Sequence, residues 1–247
     1  MEEQIDKTPE HFGRFKGAPW FEVKTRSALV GGAGGIGSWL TLFLSRANFE
    51  CLVFDMDTVE THNTGGQLYG GTHIGEAKVH ALNSVVQFLA QIPVMPFHNP
   101  YNEKSMAHYY SFSCFDNMEA RKLMFTKWKE KIPYWTAQGI NPIFIDGRLR
   151  AEQMQIFCVK TDNVEQYEKH LFSSSEVEPE ACTMKQTSHS AAMIGAHMTA
   201  FFTNHLTNVK EQEDIREVPF YWSYFIPLDL VTIEPPSYDT HKGKETA

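Results

Sequence analysis

The chain is poor in cysteine, in positive charge and in long apolar runs, and each shortage narrows what it can be. Its four cysteines, Cys51, Cys114, Cys158 and Cys182, never form a C-x-x-C pair, which excludes a four-cysteine zinc knot. A chain of 247 residues can bury roughly 70–75% of its unfolded surface. Disulfide staples are therefore unnecessary, and a reducing, cytoplasmic compartment is the expectation. No apolar run reaches the ~18–20 residues of a membrane span. The opening from Met1 to Asp6 is acidic and carries neither the cationic nor the apolar stretch of a secretory leader. Lys and Arg number 22 against 30 Asp and Glu, a net charge of -8, so neither nucleic acid nor an anionic membrane is expected as a partner. No internal repeat or low-complexity segment is present.

Aromatic residues are not scarce: they make up 13% of the chain, which excludes a solvated, disordered polypeptide. Short apolar runs read as strands at 27–30, 51–54, 112–115, 142–146, 154–159, 221–225 and 230–233. Helical patterns fall at 37–47, 76–91, 117–129 and 188–208. Strands alternate with helices in the first half and follow one another in the second. The expected fold is α/β: a Rossmann-like, mainly parallel sheet with helices on both faces, extended by antiparallel strands in the C-terminal part. The expected organisation is an N-terminal arm (1–26), a single domain (27–236) with a polar crossing loop near 173–187, and a polar tail (237–247). Cys51, Cys114 and Cys158 lie in strand-like apolar stretches and read as small hydrophobes. His189, His197 and His205 drift about 80° around a helix per step, so they do not form a metal clamp.

Gly32-Ala33-Gly34-Gly35-Ile36-Gly37 fits G-x-G-x-x-G between a strand and a helix. Glycines there allow a tight turn and close approach to a phosphate, and the helix N-terminus supplies N–H donors. Asp55 closes the second strand, where a carboxylate can accept from ribose hydroxyls. These features alone leave a nicotinamide dinucleotide, ATP and a bare strand-helix turn open.

The rest of the pattern decides among them. Asp55-Met56-Asp57-Thr58-Val59 is followed by Asn63-Thr64-Gly65-Gly66-Gln67, then Gly75-Glu76-Ala77-Lys78, and later Asp116-Asn117-Met118-Glu119-Ala120-Arg121. Together these resemble the ThiF/MoeB-type adenylating enzymes, the family that includes the ubiquitin-activating enzymes. Its pattern is a glycine loop, D-x-D-x-V, N-x-x-R-Q, G-x-x-K and D-N-x-x-x-R. The segment from Asp146 to Gln153 is also similar to the family stretch after its fifth strand. The resemblance implies attack of a polypeptide's C-terminal carboxylate on the α-phosphate of Mg-ATP, giving an acyl-adenylate and pyrophosphate. It implies that Gly32, Gly34 and Gly35 pack on the nucleotide and that Asp55 holds the ribose. Asp57, Asn63 and Gln67 fall at nucleotide-binding positions, Lys78 contacts the phosphates, and Asp116 holds Mg²⁺. Arg14 matches an N-terminal arginine that reaches into a partner subunit's site, which implies a homodimer. The implied partner is a ubiquitin-like protein or peptide with a free C-terminal carboxylate.

Two features depart from or extend that pattern. Gly66 stands where the family has a phosphate-binding arginine. Either Gly65 and Gly66 form a backbone nest for a phosphate, or Arg14, Lys78 and another residue compensate for the missing charge, or the chain is a catalytically weak nucleotide-binding relative. Cys182, in Pro179-Glu180-Ala181-Cys182-Thr183, resembles the thioester-forming cysteine segment of ubiquitin-activating enzymes. The adjoining helix N-terminus and Lys185 favour a thiolate, while Glu176, Glu178 and Glu180 oppose it. Simpler roles are available for other residues: Asp116 as a helix cap, Lys78 as a solvated lysine, Arg121 as the partner of a helix-face acid. An NAD-dependent oxidoreductase is the rival enzyme class, and it has no use for Asp116.

Overall fold

The computed structural model describes residues 10–171 and 187–234. One eight-stranded sheet runs in the order β3-β2-β1-β4-β5-β6-β7-β8. Its strands are β1 (Ser27–Gly31), β2 (Glu50–Phe54), β3 (Val94–Phe97), β4 (Tyr110–Ser113), β5 (Ile143–Arg150), β6 (Gln153–Val159), β7 (Tyr221–Phe225) and β8 (Leu230–Glu234). Pairing is parallel from β3 across to β5 and antiparallel from β5 to β8. The change of sense has a local cause: β5 and β6 form a hairpin about Ala151, whose φ is +52°, so no crossover helix intervenes.

Helices cover both faces, as the alternating pattern requires. On one face α1 (Gly35–Arg46), α2 (Lys78–Ala90) and α5 (Ser188–Glu211) pack Leu40, Leu44, Leu82, Met198 and Phe202 against Val30, Val53, Phe112 and Ile145. On the other, α3 (Met118–Thr136) and α4 (Val164–Glu168) pack Phe125, Trp128 and Tyr167 against Leu29, Phe144 and Phe157. Met193 and Phe201 sit at the margin of the first core and Ile194 within it. Leu29 and Val30 are fully buried on opposite faces of β1, which is why the central strand reads as an unbroken apolar run. Before β1, the turn Pro19–Phe21 packs on α5.

The structure adds elements that periodicity did not give. Strand β3 is four residues long and contains Pro96, tolerated because the strand lies at the sheet edge. Strand β4 ends at Ser113 rather than Phe115, and α3 continues past Lys129 through Pro133 to Thr136.

One buried polar cluster joins these parts. Asp146 of β5 is fully buried and pairs with the Arg121 guanidinium of α3. It also accepts from Arg148 Nε at 2.7 Å and from the Tyr167 hydroxyl at 2.9 Å. Arg121 further donates to the carbonyls of Gly147, at 2.9 Å, and Phe115. Arg121 therefore does not pair with an acid on its own helix face, as one reading had it. Burial pushes the Asp146 carboxyl up, but the charges of Arg121 and Arg148 and the bonds from Arg148 and Tyr167 together hold it below the ordinary aspartate range. Its stabilising effect is therefore present above about pH 4 and is lost as acid passes through the lowered folded-state value. Asp146→Asn leaves two guanidinium groups facing a neutral amide and is expected to cost about 3–5 kcal/mol. Urea unfolding at pH 7 checks this, and the gap between mutant and wild type should shrink as the pH falls below about 4.

Candidate active site

β1 is flanked by β2 on one side and β4 on the other, so successive crossovers leave it in opposite directions. The crevice beyond the carboxyl ends of β1, β2 and β4 is the place where an open α/β sheet accepts a ligand. The loop after β1 is fixed there by Gly32, whose amide donates to the Phe54 carbonyl at 2.8 Å. Gly32 has φ +93°, and a Cβ on it would lie 2.8 Å from the Cys114 carbonyl oxygen. A Cβ on Gly37 would lie 1.8 Å from the Gly32 carbonyl oxygen. These two glycines serve the backbone. Gly34 does not: a Cβ there meets nothing within 4 Å among the described residues, so its bareness leaves room on the open side of the turn. Gly35 begins α1, where the first amides have no carbonyl within the helix to bond.

Asp55 follows β2 and braces this turn. Its Oδ2 accepts from the Ala33 amide at 2.7 Å and its Oδ1 from the Asp57 amide at 2.8 Å. Burial holds its carboxyl above the ordinary aspartate range, and those two bonds and the Lys78 charge offset only part of that rise. Lys78, the first residue of α2, is not a solvated helix-face lysine: it is buried, and its Nζ donates to Asp57 Oδ2 at 2.8 Å. The Lys78 amide also donates to the Asp57 carbonyl at 2.9 Å, and Thr58 bridges Ala77. The D-x-D and G-x-x-K segments are thus one structural unit. Asp116 lies beyond β4 and is exposed, accepting from Asn117 Nδ2 at 3.2 Å. It does not cap α3. Asn117 does, accepting from the Ala120 amide at 2.8 Å.

The segment between Asp57 and Lys78 gives the main correction. Asn63 is buried, and its Oδ1 accepts from the Glu60 amide at 2.8 Å. The amides of Gly66 and Gln67 both donate to the Asn63 carbonyl, at 3.2 and 2.9 Å, and Gly66 has φ -123°. Gly65 and Gly66 therefore make no phosphate nest, because a nest needs free amides and alternating handedness. Gln67 Oε1 is buried with no hydrogen-bond partner among the described residues, an unsatisfied acceptor.

The remaining expected residues do not join this constellation. Arg14 is exposed in the short turn Glu10–Phe15 of the N-terminal arm. Cys182 and its flanking glutamates lie outside the described residues, as does most of the expected crossing loop. Cys51, Cys114 and Cys158 are buried and free; burial pushes their thiols up, Cys51 to about 12, so none of these three is a nucleophile. His197 stacks on Trp222 at 4.4 Å and His205 bonds the Asn141 carbonyl at 3.0 Å. No cluster of three metal-ligating side chains occurs among the described residues, nor a helix long and apolar enough to cross a membrane. A cleft of about 430 Å³ near Asn141, Lys160 and Asp214 lies at the opposite end of the sheet.

Sequence reasoning did not single out Trp39, Ser38 and Tyr69, which hold the turn from behind. Trp39 Nε1 donates to the Gly66 carbonyl at 3.1 Å, the Leu68 amide to Ser38 Oγ at 3.1 Å, and the Tyr69 hydroxyl to the Ala33 carbonyl at 2.6 Å. No local pattern marks such contacts, which join residues far apart in the chain.

The geometry has counterparts in known proteins. The ThiF family model matches residues 20–230. Ubiquitin-like modifier-activating enzyme 5 of Mus musculus is 26% identical over 149 residues, which is 52% of this chain and 37% of the relative. Its Caenorhabditis elegans counterpart is 24% identical over 147 residues, 52% of this chain and 35% of the relative. The match thus spans little more than a third of those relatives' length. Among solved structures, E. coli MccB with ATP superposes with a TM-score of 0.64 at 12% identity, covering 91% of this chain and 68% of that one. PaaA gives 0.64 at 15% identity, covering 88% and 66%. At such identities these two show the fold.

Gly34→Ala and Gly37→Ala separate ligand space from backbone necessity. Gly34→Ala should change stability by no more than about 1 kcal/mol. Gly37→Ala should destabilise by about 3 kcal/mol or more. Thermal unfolding of the two variants beside wild type reads both.

Proposed function

This chain belongs to the ThiF family, and on that premise we propose that it binds Mg-ATP at the β1–β4 crevice and adenylates the C-terminal carboxylate of a ubiquitin-like protein or peptide. The observation that carries this reading is the convergence on one crevice of an open glycine turn, the braced Asp55, the Lys78–Asp57 pair and the exposed Asp116. An NAD-dependent reading leaves Lys78 and Asp116 without a task.

The residues fit the chemistry. A carboxylate arrives already ionised, so the step needs no general base. Its oxygen bonds to the α-phosphorus, the bond from that phosphorus to the bridging oxygen breaks, and pyrophosphate leaves with the electron pair. The protein's work is placement and neutralisation of charge. Asp55 retains lone pairs for ribose hydroxyls after accepting two amides. Lys78 would exchange Asp57 for phosphate oxygens as a point charge. Magnesium commonly takes one or two protein carboxylates and fills its shell with phosphates and water, a demand that a lone Asp116 meets. When bound, the ion would offset phosphate charge and polarise the reacting phosphoryl group. Further parts of the reading are Arg14 acting across a homodimer, thioester transfer to Cys182, and a cytoplasmic setting.

A second reading has its own observation. With the Gly66 carbonyl bonded by Trp39 and its amide by Asn63, this position offers a phosphate neither cation nor donor. A nucleotide-binding relative with weak catalysis would look the same.

Thermal stability with Mg-ATP and separately with NAD discriminates. At 100 times its dissociation constant a ligand adds about 2.7 kcal/mol, or about 5–10 °C. The expected result is a shift with Mg-ATP, lost in Asp116→Ala; a shift with NAD alone overturns the proposal. Given a carboxylate partner, Gly66→Arg should raise pyrophosphate exchange if the missing cation limits the step. Cys182→Ala should keep adenylate formation and lose any thiol-sensitive conjugate, and a conjugate that persists unchanged refutes the thioester.

A further inference from the structure

The peptide units on both sides of Ala33 are pinned from within the protein. The Ala33 amide belongs to the Gly32–Ala33 unit and donates to Asp55 Oδ2 at 2.7 Å. The Ala33 carbonyl belongs to the Ala33–Gly34 unit and accepts from the Tyr69 hydroxyl at 2.6 Å. Tyr69 is 3% exposed and sits in the core beneath α1 and α2. Burial, with a smaller push from the Asp55 charge, raises its phenol well above the ordinary tyrosine range, so the hydroxyl remains a donor. The chain before Tyr69 is bound to the first turns of α1 by Trp39 and Ser38, and Ser38 Oγ itself donates to the Gly35 carbonyl at 3.2 Å.

A trans peptide is planar, with its C=O and N–H directed oppositely. Holding the Ala33 carbonyl toward buried Tyr69 therefore directs the Gly34 amide away from the core. A Cβ at Gly34 would meet nothing within 4 Å among the described residues, so the turn is open at this residue. We propose that Tyr69 is a positioning residue for the nucleotide: its hydroxyl fixes the Ala33–Gly34 peptide so that the Gly34 amide, with those at the start of α1, is aimed at a phosphate before the nucleotide arrives. This rests on the Mg-ATP reading above. It also supplies what position 66 does not. Without a cation there, phosphate affinity leans on backbone amides, and an amide contributes fully only when its orientation is already set.

The test is calorimetric binding of Mg-ATP and of adenosine, which has no phosphate, to wild type and Tyr69→Phe. The substitution removes one hydroxyl and keeps the ring in the core. The expected result is a rise of about 5–10-fold in the Mg-ATP dissociation constant, with adenosine changed less than twofold. Unchanged Mg-ATP affinity, or an equal loss for both ligands, overturns the positioning role and leaves the nucleotide site standing. Wild type that binds no Mg-ATP overturns both. A second measurement does not depend on the variant folding: in wild type, saturating Mg-ATP should slow hydrogen exchange at the Gly34 amide at least tenfold. Exchange unaffected by Mg-ATP overturns the assignment.

Discussion

A carboxylate cannot stay ionised in the middle of an eight-stranded sheet unless cations come with it, and the placement of Asp146 forces much of what surrounds it. Arg121 must reach it from α3, which fixes that helix against β5. Arg148 must turn back along the same strand, resting on the Phe157 ring at 4.6 Å, and Tyr167 of α4 closes the remaining side. The cluster sits where β5 leaves its parallel neighbour and enters the antiparallel hairpin. Because Arg121 also holds the Phe115 carbonyl, the residue immediately before Asp116 is anchored to the same charge. The exposed acid of the crevice is thus presented by a loop tied to the interior, and a free loop would not hold it so.

The crevice follows the same logic with smaller means. Two of its charged groups are each held by more than one bond. Asp55 accepts two amides, and Lys78 meets Asp57 through its ammonium and its backbone together. The Lys78–Asp57 pair balances charge while the crevice is empty. On the proposed reading, an incoming polyanion with its metal would exchange partners with the pair, so the buried Lys78 ammonium would not be left unpaired. Such an exchange costs less than uncovering a bare ammonium, and it keeps Lys78 at the entrance to α2, where its stem is buried.

How far the sequence could be read depended on the range of the interaction. Leu29, Val53 and Ile145 lie in runs that announce buried parallel strands, and the glycine loop declares its own turn. Four-residue β3, with Pro96 inside it, has no periodicity to detect, and its place is set by pairing with β2. The site residues divide in the same way. Gly32, Asp55, Lys78 and Asp116 were readable because a local pattern carries each of them. Gly65 and Gly66 suggested a nest, since adjacent glycines permit one, but the Asn63 carbonyl takes the amides that a phosphate would need. Arg121 left pairing with a helix-face acid open as a simpler role, because its partner Asp146 is 25 positions away in the chain. Tyr69, placed by one hydrogen bond to a residue 36 positions away, had no local mark at all.

Gly66 then acquires a meaning beyond loss. An arginine at this position would carry charge to the phosphates on a long, flexible stem and would pay side-chain entropy on binding. The backbone at Gly66 lies close against α1: Trp39 bonds the Gly66 carbonyl, and the following residues reach Ser38 and Ala33. On the proposed reading, a braced set of dipoles stands in for a mobile cation. The exchange weakens the long-range pull on a triphosphate, because an amide dipole's field falls off faster with distance than a charge's. It strengthens orientation at contact. A site of this kind discriminates by the position of a phosphate more than by total negative charge, and it suits a chain whose own net charge of -8 offers a polyanion no general attraction.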